Sequence, residues 1–359
     1  MTDQPHSQSA TARLAAYAGI LAMIAIVASL YVATSVFAPV ACALFIIALA
    51  WPLQDALEQR MPRLLALAIV MCVIVVVFLA FASTVAWGFS RVARALIAEA
   101  PRFQSLYDQA SVWLEGHGIV IDGMWAEHFN VRWLIGTLQS ITGRLNTTLT
   151  FWLVVAVYVI LGMLEVRTIG AKIGGLMSSD AARVLIDGSR ATAQRFRRYM
   201  MIRTWMSLAT GITVWAIAAL SGLALAPEWG VIAFALNYIP FIGPFIATVF
   251  PTFYALGQFE SWQTALVVFA CLNVVQFVIG SYIEPRVSGS ALAISPFIVL
   301  LSVFFWTWMW GLFGAFIGVP ITIAILTFCA QHPATRWLAE LLGDPDAPPG
   351  QASQSGPPA

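Results

Sequence analysis

The chain has 359 residues, of which 60% are apolar and only 10% charged, with a mean hydropathy of +0.85. A water-soluble domain carries about 25% charged residues, so this composition cannot clothe a water-facing surface, and most of the exterior must face hydrocarbon. A net charge of +1 with no basic stripe gives no case for a nucleic-acid partner.

Cys42, Cys72, Cys271 and Cys329 each sit inside an apolar run, without CxxC or Cys/His spacing, so neither a zinc site nor a redox pair is encoded and no cofactor is expected. Residues 1–13 hold one basic residue, Arg13, and the apolar stretch after them is longer than a signal-peptide core of about 7–15 residues. A first membrane span that stays with the protein is the expectation.

Eight apolar segments are long enough to cross hydrocarbon: 14–35, 38–52, 64–89, 148–166, 205–225, 230–257, 262–283 and 297–330. They are continuously apolar rather than alternating, which favours helices over a barrel and lets each segment satisfy its own peptide groups. The fold class is therefore all-α, a polytopic transmembrane protein of about eight spans, with broken or re-entrant helices in the C-terminal half. It divides into a three-span bundle over 14–89, an extramembrane amphipathic region over 90–147, and a five-span core over 148–330. A tail over 343–359, rich in proline with Gly, Ser and Gln, cannot bury a core.

Within 90–147, Leu96, Phe103, Leu106, Ala110 and Trp113, then Leu134, Leu138, Ile141 and Leu145, recur at helical spacing. Residues 167–204 carry eight of the eighteen basic residues, with Arg183, Arg190 and Arg197 seven apart and Leu185, Ser189, Thr192, Phe196 and Tyr199 on the less charged side. Positive charge marks the cytoplasmic face, and such a helix grips anionic headgroups. Placing it inside puts both termini inside and 90–147 outside. With eight alternating spans, twelve basic residues then lie inside and six outside, Arg286 among the six.

The C-terminal half carries the irregular sequence. In 237–244, NYIPFIGP, a polar residue and two prolines interrupt an apolar run. Each proline removes a helical N–H and clashes four residues back, so the carbonyls of Leu236 and Pro240 are expected to be freed. At membrane depth such backbone survives only buried in protein or beside a water-filled cavity, and broken helices form solute sites in transporters. The candidate pathway residues are therefore Asn237, Tyr238, Pro240, Gly243 and Pro244. Phe316-Ile-Gly-Val-Pro320 echoes Phe241-Ile-Gly-Pro244, and the last segment is expected to break, given Gly311, Gly314, Gly318 and Pro320. Asn273 and Gln276 lie three apart on one span. Glu284 and Arg286 flank Pro285 and are the only charges between Glu260 and Arg336, with Gly289 and Pro296 a little further on. No ionisable residue falls centrally in any span, and neither a phosphate-binding glycine loop nor a nucleophile–base motif occurs, so an enzyme is not expected. His117 and His128 read as surface histidines.

NYIPFIGP, followed by SYIEPRVSGSALAISPF (281–297) and GLFGAFIGVP (311–320), resembles the signature region of the autoinducer-2 exporter family of bacterial membrane proteins. The likeness in layout covers most of residues 14–330. It implies a homo-oligomeric, multi-pass protein of the inner membrane that exports a small solute across the lipid bilayer. By position, Asn237, Pro240, Gly243, Pro244, Glu284, Pro285, Gly289, Pro296 and Pro320 match the family motif, while Phe241 stands where a tyrosine is often seen. Three functions compete: export of a small polar solute, sodium/proton antiport through Glu284, and a non-transporting scaffold.

Overall fold

A computed structural model describes residues 5–117, 145–176, 179–288, 294–331 and 335–343. The expected helical face of Leu134, Leu138 and Ile141, residue Gly289 and most of the tail lie outside the described residues. Those described are almost wholly helical, with one isolated bridge between Ile294 and Gly343. The helices are α1 (Pro5–Val32), α2 (Thr34–Glu58), α3 (Arg63–Ala98), α4 (Ala100–Gly116), α5 (Leu145–Leu176), α6 (Ser179–Leu220), α7 (Ala226–Leu236), α8 (Ile242–Phe259) and α9 (Trp262–Phe277). A π-helix over Val278–Ile283 leads into α10 (Glu284–Ser288), and α11 (Pro296–Gln331) and α12 (Arg336–Leu342) complete the order.

Six of these are long and apolar enough to cross a membrane, and the shorter Tyr17–Val32 and Ala226–Leu236 are apolar too. Leu21, Leu64, Val77, Leu149, Leu266 and Leu301 are among the many large apolar side chains left exposed. That surface suits lipid rather than water. The inner cores are small and helix-specific. Cys42, Ala43 and Ile47 of α2 pack with Val155, Val159 and Met163 of α5 and Leu67 and Val70 of α3. Their shared end is knotted by charge. Arg167 meets Asp55 at 2.7 Å and Glu58 at 3.0 Å, and Arg63 donates to the carbonyls of Met163 and Leu164.

The segment 230–257 is two helices, where the sequence suggested one span. Trp229 of α7 and Tyr254 of α8 sit with ring centroids 5.7 Å apart. In a straight helix 25 residues span about 37 Å, so the chain folds back. The open end of this hairpin is clamped by Gln258, whose Oε1 accepts from the Ala224 N–H at 2.7 Å and whose Nε2 donates to the Gly222 carbonyl at 2.8 Å.

The long α11 does the same. Its helical geometry fails at Trp310 (φ −129°, ψ 16°) and Gly311 (φ 66°, ψ −148°). The two arms then run side by side: Trp306 Nε1 donates to Thr322 Oγ1 at 3.3 Å. A Cβ at Gly314 would overlap the Trp306 carbonyl, and one at Gly318 would come within 2.9 Å of Trp306 Cβ. Ile294 and Ser295 at its open end meet Gly343 and Leu342. Each hairpin therefore returns to the side of the membrane from which it started.

The re-entry creates two same-side contacts that eight alternating spans forbid. Arg102 of α4 pairs with Glu260 at 2.8 Å, and the Phe103 ring stacks on Phe253 at 4.9 Å. The 258–261 turn thus shares a face with the start of the 90–147 region. Glu284 reaches Arg203, at the base of the basic half of α6. The alternating count had put each of these pairs on opposite faces. Both hairpins re-enter, and everything between them changes sides.

Gly311 occupies a backbone region open only to glycine, where a side chain costs about 1–3 kcal/mol. Gly311→Ala is expected to lower the unfolding temperature of the detergent-purified protein, and Gly19→Ala, inside α1 with nothing within 4 Å, not to lower it.

Candidate functional site

Helix α6 has 42 residues, about 63 Å at 1.5 Å per residue, roughly twice the hydrocarbon thickness. The two hairpins pack along it end to end. The first lies against its C-terminal half, where a Cβ on either Gly211 or Gly230 would come within 2.8 Å of the other's carbonyl oxygen. Paired small residues of this kind let helices approach closely in lipid. The second lies against its N-terminal half, where Arg195 donates to Thr327 at 3.1 Å and the Phe328 ring covers Gly188. The tips meet beside Thr204 and Ser207. There the Tyr238 ring lies 5.6 Å from that of Phe316, and Ile239 joins the cluster of Trp306, Trp310 and Ile317.

The first tip is built by its prolines. Asn237, Tyr238 and Ile239 are buried. Asn237 Nδ2 donates to Ser207 Oγ at 3.2 Å, and the Tyr238 hydroxyl donates to Thr204 Oγ1 at 3.0 Å. Tyr238 is walled by Phe81 and Phe234 at 5.9 and 5.6 Å. The carbonyls expected to be free are satisfied within the turn: Leu236 accepts from the Ile239 N–H at 2.9 Å and Pro240 from the Ile242 N–H at 2.7 Å. Polarity at the tip comes instead from side chains. Phe241 takes a positive φ of 63°, a strained conformation for a residue with a side chain. A Cβ at Gly243 would overlap the Leu236 carbonyl, so only glycine permits the turn.

The other expected residues separate. Gln276 is half-buried and its Nε2 has no hydrogen-bond partner among the described residues, whereas Asn273 is exposed and donates to its own helix at Phe269, 2.8 Å away. Glu284 pairs with Arg203 at 2.7 Å, not with Arg286, which is exposed and stacks over Tyr282 with its guanidinium carbon 3.4 Å from the ring centroid. Pro285 lies in the short α10, Pro296 is exposed at the start of α11, and Pro320 is buried in the return arm of the second hairpin. The π-helix just before Glu284 adds a residue to the turn and re-aims the chain from there on. No cluster of His, Cys, Asp or Glu with metal-binding geometry occurs among the described residues.

Sequence reasoning missed the stripe on α6 that links these groups. Thr192, Tyr199, Arg203, Ser207 and Thr210 are all buried, Ser207 and Thr210 completely. Steps of seven, four, four and three place them on one face. Thr192 Oγ1, Tyr199 Oη, Arg203 Nε and Thr210 Oγ1 have no hydrogen-bond partner among the described residues. Each such atom costs about 1–3 kcal/mol when sealed away from solvent. A signal existed in the heptad spacing, but it was hidden because Arg203 reads as one more charge in a basic loop.

Removing Asn237 tests the seam. Asn237→Ala leaves Ser207 without its partner and is expected to cost about 1–3 kcal/mol, read as a lower unfolding temperature. Asn273→Ala, on an exposed face, should shift it by much less.

Comparison with known proteins places this architecture. The sequence model of the AI-2E family transporter matches residues 20–333. The chain is 27% identical over 332 residues to the AI-2 transport protein TqsA of Escherichia coli K12, covering 90% of this chain and 93% of that protein. It is 27% identical over 336 residues to a putative transport protein of Haemophilus influenzae, covering 91% and 95%. It is 32% identical over 207 residues to the putative transport protein YhhT of Escherichia coli K12, covering 58% of each. The chain is a multi-pass helical membrane protein that belongs to the AI-2E transporter family.

Proposed function

We propose that this protein exports a small polar organic solute, of the kind named for the autoinducer-2 relative, across the bacterial inner membrane through the seam where its two hairpin tips meet. The observation that carries this reading is the buried polar stripe of α6 running past both tips, from Thr192 to Thr210. Oppositely opening broken helices that meet around polar groups give a carrier two faces to open in turn. A hydroxylated solute exchanges hydrogen bonds with Asn237, Ser207, Tyr238 and Thr204 on the way. The polar groups line the route, and Glu284 is engaged by Arg203 at its edge, so the reading is carried by neutral hydrogen-bonding groups.

Orientation obeys the charge rule. Re-entry of the first hairpin brings Arg286 to the side of the basic half of α6, so the tally of twelve basic residues inside and six outside becomes thirteen and five. Both termini then face the cytoplasm, and the second hairpin enters from the cytoplasmic side, the first from the opposite side.

Proteoliposomes loaded with autoinducer-2 test the assignment. Wild type should release it faster than protein-free vesicles, and Asn237→Ala combined with Pro240→Ala should slow release about tenfold, a loss of roughly 1.4 kcal/mol of barrier lowering. Equal leakage from both proteins would remove the seam as the route.

A further inference from the structure

The buried cation of the stripe is less fully engaged than a structural ion pair requires. Arg203 is 5% exposed, and its one hydrogen-bond partner among the described residues is Glu284, bonded through Nη1. Its Nε has no partner. A guanidinium presents five donors in a rigid planar fork, so the edge carrying Nε stays open beside a pair made at one nitrogen. One helical turn earlier on the same face, the buried Tyr199 hydroxyl also has no partner among the described residues. The partner carboxylate is the more accessible member, with its side chain 22% exposed against 6% for Arg203. The π-helix is what delivers Glu284 to this point.

A pair serving stability alone would be expected to fill both edges of the fork, because a buried cation offsets its desolvation only when its remaining donors are used. We infer that the Nε edge of Arg203, with the Tyr199 hydroxyl, is a binding site for a carboxylate group of the solute. The chemistry selects the class. Two donors on one edge of a guanidinium match the two oxygens of a planar carboxylate. Arg203 is also the only buried cationic side chain among the described residues, so the site balances one negative charge rather than the two of a phosphate monoester. Glu284 then acts as a resident competitor. It neutralises Arg203 when no solute is bound, and its own charge repels an arriving carboxylate and favours release. This inference rests on the transport reading and adds the acidic group of the cargo.

The test uses the full chain in lipid nanodiscs, with lactate and succinate as probes and propane-1,2-diol and butane-1,4-diol as uncharged counterparts at matched ionic strength. The carboxylates are expected to raise the unfolding temperature saturably and the diols not to. Arg203→Lys, which keeps the charge and loses the fork, should weaken carboxylate binding about tenfold, and Tyr199→Phe about threefold. Glu284→Gln should tighten it about threefold by removing the competing charge. That opposite sign decides the matter even if the lysine variant fails to fold. Equal shifts from acids and diols, or lactate affinity unchanged in both Tyr199→Phe and Glu284→Gln, would overturn the assignment. Efflux from proteoliposomes separates the two readings. A protein that moves the diols without binding lactate refutes the carboxylate site alone. One that binds lactate but releases none of the four solutes refutes transport and leaves the site standing.

Discussion

In hydrocarbon no water completes an unpaired peptide group, and that single constraint organises this molecule. Helices may break inside the membrane only where the break is closed by its own turn or covered by protein. Both conditions are met at Asn237–Phe241. The Ile239 and Ile242 amides cap the carbonyls that Pro240 and Pro244 leave behind, and the second hairpin lays Phe316 and Trp306 over the tip. The glycines are placed by the same need. At Gly243 and Gly314 the facing carbonyl occupies the space where a Cβ would stand.

With the backbone settled locally, polarity is left to side chains, and α6 supplies most of it. One continuous helix passes both hairpins, so a face that is polar along its length touches each in turn. A shorter helix could not do this. Its basic half keeps Arg183, Arg190 and Arg198 exposed, while the opposite side buries Tyr199 and Arg203. The apolar hairpins are thus held to a polar spine by few hydrogen bonds, among them Asn237 to Ser207 and Arg195 to Thr327.

The rigid supports lie at the ends. Arg91 pairs with the buried Glu228 at 2.9 Å, and Arg102 with Glu260, so α3 and α4 hold one arm each of the first hairpin. At the other face the knot of Asp55, Glu58, Arg63 and Arg167 ties α2, α3 and α5. These ion pairs lie at the two ends, whereas the tips between them are joined to α6 by neutral hydrogen bonds such as Asn237 to Ser207 and Tyr238 to Thr204. Firm ends with a lightly bonded centre are the arrangement expected where one bundle rocks against another around a fixed site.

Composition and apolar run length determined the class by themselves. So few charges over so many residues admit only a membrane protein, and continuous apolar runs admit only helices. NYIPFIGP announced a break because proline and glycine act on the backbone locally, and the glycines of 311–320 announced another. What the sequence left open was the direction taken after each break. A kinked span and a re-entrant hairpin share the same local chemistry, and the choice is made by contacts such as Trp229 on Tyr254 and Gln258 on Gly222. The partner of Glu284 was equally hidden. Arg286 is its neighbour in sequence, but the π-helix and the return of the chain bring Arg203 instead, because which charges meet across 81 residues is a property of packing and not of spacing.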